Sequence, residues 1–83
     1  MRAIATVYGV GQRKAGVAKK SGKKYDFTEF AIGYGCTGFS GQKCETVAID
    51  AEILGDRTIG VGDQIDLVMH QANFKTYVDA IVD

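Results

Sequence analysis

Proline and tryptophan are absent from this sequence of 83 residues, histidine occurs once and cysteine twice. Each scarcity excludes something. Without proline, an internal repeat or a low-complexity linker, nothing divides the chain, and its length fits one domain, residues 1–83. Cys36, Cys44 and His70 cannot supply the four ligands, often in C-x-x-C pairs, that a structural zinc site wants, so no metal is expected. Nor is any cofactor. The two thiols have no second histidine or evident base beside them, and the carboxylates are scattered, which argues against an enzyme. Long apolar runs are also missing. The opening "MRAIATVYGVGQ" has neither the apolar core nor the cleavage site of a leader, and no segment approaches a membrane span. The expectation is an intracellular, cytoplasmic protein with no membrane partner and reduced thiols, a disulfide being the alternative.

The most informative absence is of acid. Residues 1–25 hold seven cations (Arg2, Arg13, Lys14, Lys19, Lys20, Lys23 and Lys24) and no Asp or Glu. The remainder holds Lys43, Arg57 and Lys75 against all ten acids, so the net charge of zero is the sum of two opposed parts. A run of one sign points to a polyanionic partner, whereas a merely solvated loop would interleave both signs.

What is present favours strands. Met1–Val10 is rich in Ile, Val, Thr and Tyr, with Gly9 and Gly11 ending or bulging it. Tyr25–Tyr34 reads as a second strand with Phe30, Ile32 and Tyr34 on one face, followed by the glycine loop "GYGCTGFSG". Glu45–Ile53 and Gln64–His70 alternate, and Lys75–Val82 pairs with the latter across "HQANF". Helix signals amount to one turn near Ala51–Asp56. Five short strands with glycine joints predict an all-β fold, a small five-stranded OB-type barrel with a projecting basic β-hairpin; an SH3-like barrel is the second choice.

Two phosphate-binding patterns fail on context. "GYGCTG" matches G-x-G-x-x-G, but a β-alternating run rather than a helix leaves it. "GVAKKSGKK" has five residues between its glycines and no hydroxyl after Lys23. The rings are more telling. Tyr25 and Phe27 follow the basic run, Tyr34 and Phe39 flank the glycine loop, and Phe74 occupies a hairpin tip with little core to join. Cations that track phosphates beside rings on which bases stack are what single-stranded nucleic acid binding needs. The candidate contacts are Arg13, Lys14, Lys19, Lys20, Lys23, Lys24, Tyr25, Tyr34, Phe39 and Phe74. Tyr25, Tyr34 and Phe74 are expected to be exposed, Phe30 to be core, and His70 to lie on the surface.

"GVAKKSGKKYDFTEFAIGYG" resembles the DNA-binding loop and following strand of the filamentous-phage single-stranded DNA-binding proteins of the gene V type. The shared residues are Gly22, Lys23, Tyr25 and Glu29, with weaker likeness in "VGDQIDLVMHQANFKTYVDAIVD", where Phe74 lies in the last hairpin and Asp79 in the last strand. The resemblance implies an OB-fold homodimer that coats single-stranded DNA without sequence preference, as in phage or mobile-element replication. It implies Arg13, Lys19 and Lys23 on phosphates, Tyr25 stacking or lining the groove, and Phe74 near DNA held by a partner. The sequence departs from the pattern where the family has a basic residue in the last strand, here Ala80. The family's second-strand tyrosine falls at Gly33, and its loop aromatic maps only loosely onto Phe39. An RNA-binding OB or cold-shock-like module, and a protein-interaction module with its basic loop on an acidic partner, are the alternatives. A homodimer is also expected from the last hairpin, which has Ile65, Leu67 and Met69 on one strand and Val78, Ile81 and Val82 on the next, too many apolar residues for one small barrel to cover.

Overall fold

The computed structural model describes residues 1–38 and 40–82. It contains strands β1 (Arg2–Val17), β2 (Lys24–Gly35) and β3 (Gln42–Asp50), a one-turn helix α1 (Ala51–Leu54), and strands β4 (Gln64–Ala72) and β5 (Lys75–Val82). All neighbours are antiparallel, in the order β3-β2-β1-β4-β5.

Alternation generates the interior. Ala5 and Val7, Phe30, Ile32 and Tyr34, Val47 and Ile49, Leu67 and Met69, and Val78 project to one side and form a single core. Each large side chain removed from water there stabilises the fold by roughly 1.5–3 kcal/mol. Ile53, Leu54 and Ile59, from α1 and the connection after it, pack against that core. The connection is tied down by backbone bonds from Val7 N–H to Asp63 O (2.9 Å) and from Gly62 N–H to Val7 O (2.8 Å).

Two expectations need correction. The sheet is not closed into a barrel: it curls until β3 approaches β5, yet among the described residues no ladder joins them, and a groove separates the β3 edge from the β4–β5 turn. The apolar residues expected on two faces of the last hairpin, moreover, lie mostly on one, and only Val82 falls on the outer face, beside Val68 and Ala80. Leu67, Met69 and Val78 lie in the one core, with Ile65 and Ile81 packed against it, because the Leu67↔Ile81 and Met69↔Val78 pairs face the same way.

β1 is far longer than the strand expected over residues 1–10. It runs on through the basic stretch, paired with β2 from Thr6↔Gly33 to Val17↔Lys24. Register shifts between Val7 and Gly9 and between Val10 and Arg13 are bulges, which bend and twist a strand. Beyond them the hairpin projects, and the molecule measures 42 × 29 × 20 Å. Its tip is closed by Ala18 N–H to Lys23 O and Gly22 N–H to Ala18 O, both 2.8 Å. Gly22 turns with φ 68°, a conformation that a Cβ would disfavour.

Candidate nucleic-acid interface

Strand parity sorts β2 into two faces. Phe30, Ile32 and Tyr34 point inward, so Tyr25, Phe27, Glu29, Ala31 and Gly33 point outward. Opposite them on β3 stand Asp50, Ala48, Thr46 and Cys44, and on β1 Gly16 and Lys14. Across this outer face lies a groove of about 750 Å³. Phe27, Glu29, Thr46 and Ala48 floor it, and residues 71–77 of the β4–β5 hairpin wall it.

The hairpin cations divide into two kinds. At the base of the hairpin Arg13 binds Asp26 through both ends of its guanidinium, its Nε donating to Oδ1 at 2.7 Å. The Lys14 ammonium donates to Glu29 at 2.9 Å. Hydrogen bonding and charge from these carboxylates raise the Arg13 and Lys14 pKa values, and the hydrogen bond from Arg13 lowers that of Asp26. At the tip, Lys19, Lys20, Lys23 and Lys24 are exposed and make no ion pair among the described residues. Four like charges without carboxylates form a concentrated positive patch, and an incoming phosphate displaces no partner there.

Of the expected rings, Tyr25 is exposed and packs against Gly16, where a Cβ would come within 2.8 Å of its hydroxyl. Phe27 follows at 5.8 Å between centroids and is half-buried. Phe74 is wholly exposed at the β4–β5 turn, where it and Asn73 both have positive φ (62° and 53°). This is the backbone of a tight turn that normally takes glycine, so a bulky ring there costs of order 1–3 kcal/mol. Tyr34 corrects the expectation of an exposed ring. It is fully buried, sharing the parity of Phe30 and Ile32, and its hydroxyl donates to Glu45 at 3.2 Å. Burial first, and the Glu45 charge second, raise its pKa. It cannot meet a base without unfolding the core. Phe39 lies outside the described residues.

Several neighbours escaped the sequence reading. Lys75 stands beside Phe74 on the groove wall, and Tyr77 lines it. Lys43 and Glu45, 3.5 Å apart, line the groove from β3. Tyr8, at the first bulge, lays its ring over Gly33. The only sequence signal for it was the neighbouring glycine pair, Gly9 and Gly11. His70 is exposed, stacked on the groove-lining Tyr77 with centroids 5.2 Å apart, and its Nδ1 lies 2.8 Å from Asp79. Cys36 and Cys44 are free thiols. Among the described residues no three His, Cys, Asp or Glu side chains converge as metal ligands, and no helix is long and apolar enough to cross a membrane. Against known proteins, no family model, curated protein or solved structure matches the chain.

Proposed function

We propose that this is a non-enzymatic, largely sequence-independent single-stranded DNA-binding protein of OB type. The observation that carries the reading is the junction of four unpaired lysines with an outer face bearing Tyr25 and Phe27, which leads into the groove beneath Phe74. Lys19, Lys20, Lys23 and Lys24 hold phosphates, with Arg13 and Lys14 joining when the backbone competes for them. Tyr25, Phe27 and Phe74 offer rings to unpaired bases, and Lys75 adds a cation at the far wall. The strand order supports the OB assignment. β1 bonds to both β2 and β4 while β5 lies against β3, and OB folds take oligonucleotides on the β2–β3 face between the β1–β2 and β4–β5 loops. The tip lysines and Phe74 occupy those two loops. The strained turn at Phe74 supports it too, since strain concentrates where a side chain is needed for contact.

A homodimer belongs to the same reading. Ile4, Val68, Ala80 and Val82 share the outer face of β1–β4–β5, with Ile4 64% exposed, and a symmetric partner covers them. Light scattering at micromolar concentration checks this, a mass of one chain being the adverse result.

The deciding experiment for binding is a titration with oligo-dT, oligo-rU and duplex DNA of equal length, followed by tyrosine emission, which no tryptophan masks. The expected result is tightest binding to oligo-dT, falling steeply with salt. Tightest binding to RNA transfers the reading to RNA. Failure to bind any nucleic acid leaves the basic loop for an acidic protein and ends it.

A further inference from the structure

We infer that Tyr8 is an additional base-stacking residue, a ring platform at the end of the outer face opposite the lysine tip. The inference rests on the binding mode proposed above and extends its footprint to β1. In strand parity Ala5 and Val7 face the core, which sends Tyr8 outward, and the bulge between Val7 and Gly9 leaves it without a cross-strand partner of its own. The direction of the ring follows from Gly33. This residue lies between inward-facing Ile32 and Tyr34, so a Cβ on it would point outward, and that Cβ would meet the Tyr8 ring at 2.7 Å. The ring therefore sits on the outer face, on the same side as Tyr25 and Phe27.

It is also held there. The Tyr8 hydroxyl donates to Gln42 Oε1 at 2.7 Å, which ties β1 across β2 to the start of β3. Residue 8 is nevertheless 55% exposed, with glycine rather than a side chain beneath its ring edge. A scattered surface tyrosine needs no explanation. A ring fixed at its hydroxyl and seated beside a glycine is different, since it loses little side-chain freedom when a base stacks on it. From Gly33 to Phe27 is about 20 Å along β2. Only Ala31 and the Glu29–Lys14 pair intervene on that strand's outer face, and the β1 neighbour of Ala31 is Gly9. A single strand that leaves Phe27 along β2 reaches Tyr8 by crossing the Glu29–Lys14 pair and then the small residues Ala31 and Gly9.

The test uses the full chain and oligo-dT of about 16 nucleotides, the upper site size of one OB fold. Y8A is expected to weaken binding roughly 5- to 150-fold, the range for loss of one stacked base. Y8F keeps the ring and is expected to bind within about threefold of the parent. Oligonucleotides with 5-iodouracil at successive positions are expected to photocross-link to Tyr8 from positions near one end and to Tyr25 from the other. Melting curves of Y8A and the parent are compared so that a folding defect is not read as lost stacking, and the cross-link on the unaltered chain is independent of that defect. If the parent binds oligo-dT while Y8A matches it and no cross-link reaches Tyr8, the inference is overturned and the binding mode stands. If the parent does not bind, both fall.

Discussion

The two halves of β1 belong to one strand and live in different environments. From Arg2 to Thr6 it is paired with β4 on one side and, from Thr6 onward, with β2 on the other, with Ala5 and Val7 fully buried. From Gly11 to Val17 it has β2 alone as a neighbour, and every residue but Gly16 is exposed. The first half is held by packing. The second is a two-stranded ribbon, a form of marginal stability by itself, anchored by the core at one end and by the Arg13–Asp26 and Lys14–Glu29 pairs along its length. Stability and binding are thereby separated along a single strand, and the ribbon can spend its surface on lysine because the fold does not depend on it.

That contrast is broken most severely from the core side. Phe30→Ala empties a position 2% exposed and should destabilise the protein by about 3–5 kcal/mol, a large part of the stability of so small a domain. Val17→Ala, at 56% exposure in the ribbon, should change stability by no more than about 0.5 kcal/mol. Urea unfolding of the two variants measures the difference directly, and similar losses would show that the ribbon is part of the cooperative core.

Phe74 sharpens the comparison because there the interests of fold and site oppose each other. Phe74→Gly relieves positive φ at a fully exposed residue and should raise stability by about 1 kcal/mol, while removing a ring should weaken oligo-dT binding. Thermal melting and a binding titration on the same sample check both signs. A variant that is less stable, or that binds as the parent does, goes against the strain and the stacking respectively.

The smallest effect concerns acid. The Arg13 hydrogen bond holds Asp26 below the ordinary carboxylate range. A lowered folded-state pKa means that this contribution is complete above the unfolded value and is lost as pH falls through the folded one. The pair is on the surface, so the loss should be slight. NMR titration of the Asp26 carboxyl should give a midpoint below about 3.9, the unperturbed aspartate value. A midpoint at or above that value contradicts the pairing.

How much of this was legible beforehand follows from what each feature depends on. The number of strands and the basic hairpin depend on local composition and parity, and they were readable, as was the exposure of Phe74 at a turn tip, whereas the reach of β1 to Val17 and the end of β3 at Asp50 were not. Tyr34 carried two signals, the parity of Phe30 and Ile32 and the neighbouring glycines; parity prevailed because β2 continues to Gly35 before the loop begins. Tyr8 faces outward by simple alternation with Val7, but its seat beside Gly33 and Gln42 depends on cross-strand register, which no local pattern shows. The sorting of cations into paired base and free tip depends on cross-strand register, which the two bulges set. The groove depends on curl of the whole sheet, and no local pattern encodes where the β4–β5 turn comes to rest over β2 and β3.

The claim that four unpaired lysines deliver the phosphate contacts is tested most directly by the salt dependence of oligo-dT binding in the parent and in a variant with Lys19, Lys20, Lys23 and Lys24 all changed to Ala. Each phosphate neutralised on a single strand contributes about 0.7 to the slope of log affinity against log salt, so the variant's slope should be shallower by roughly 3 while its melting temperature stays near that of the parent. An unchanged slope would contradict the claim and place the phosphates elsewhere on the molecule.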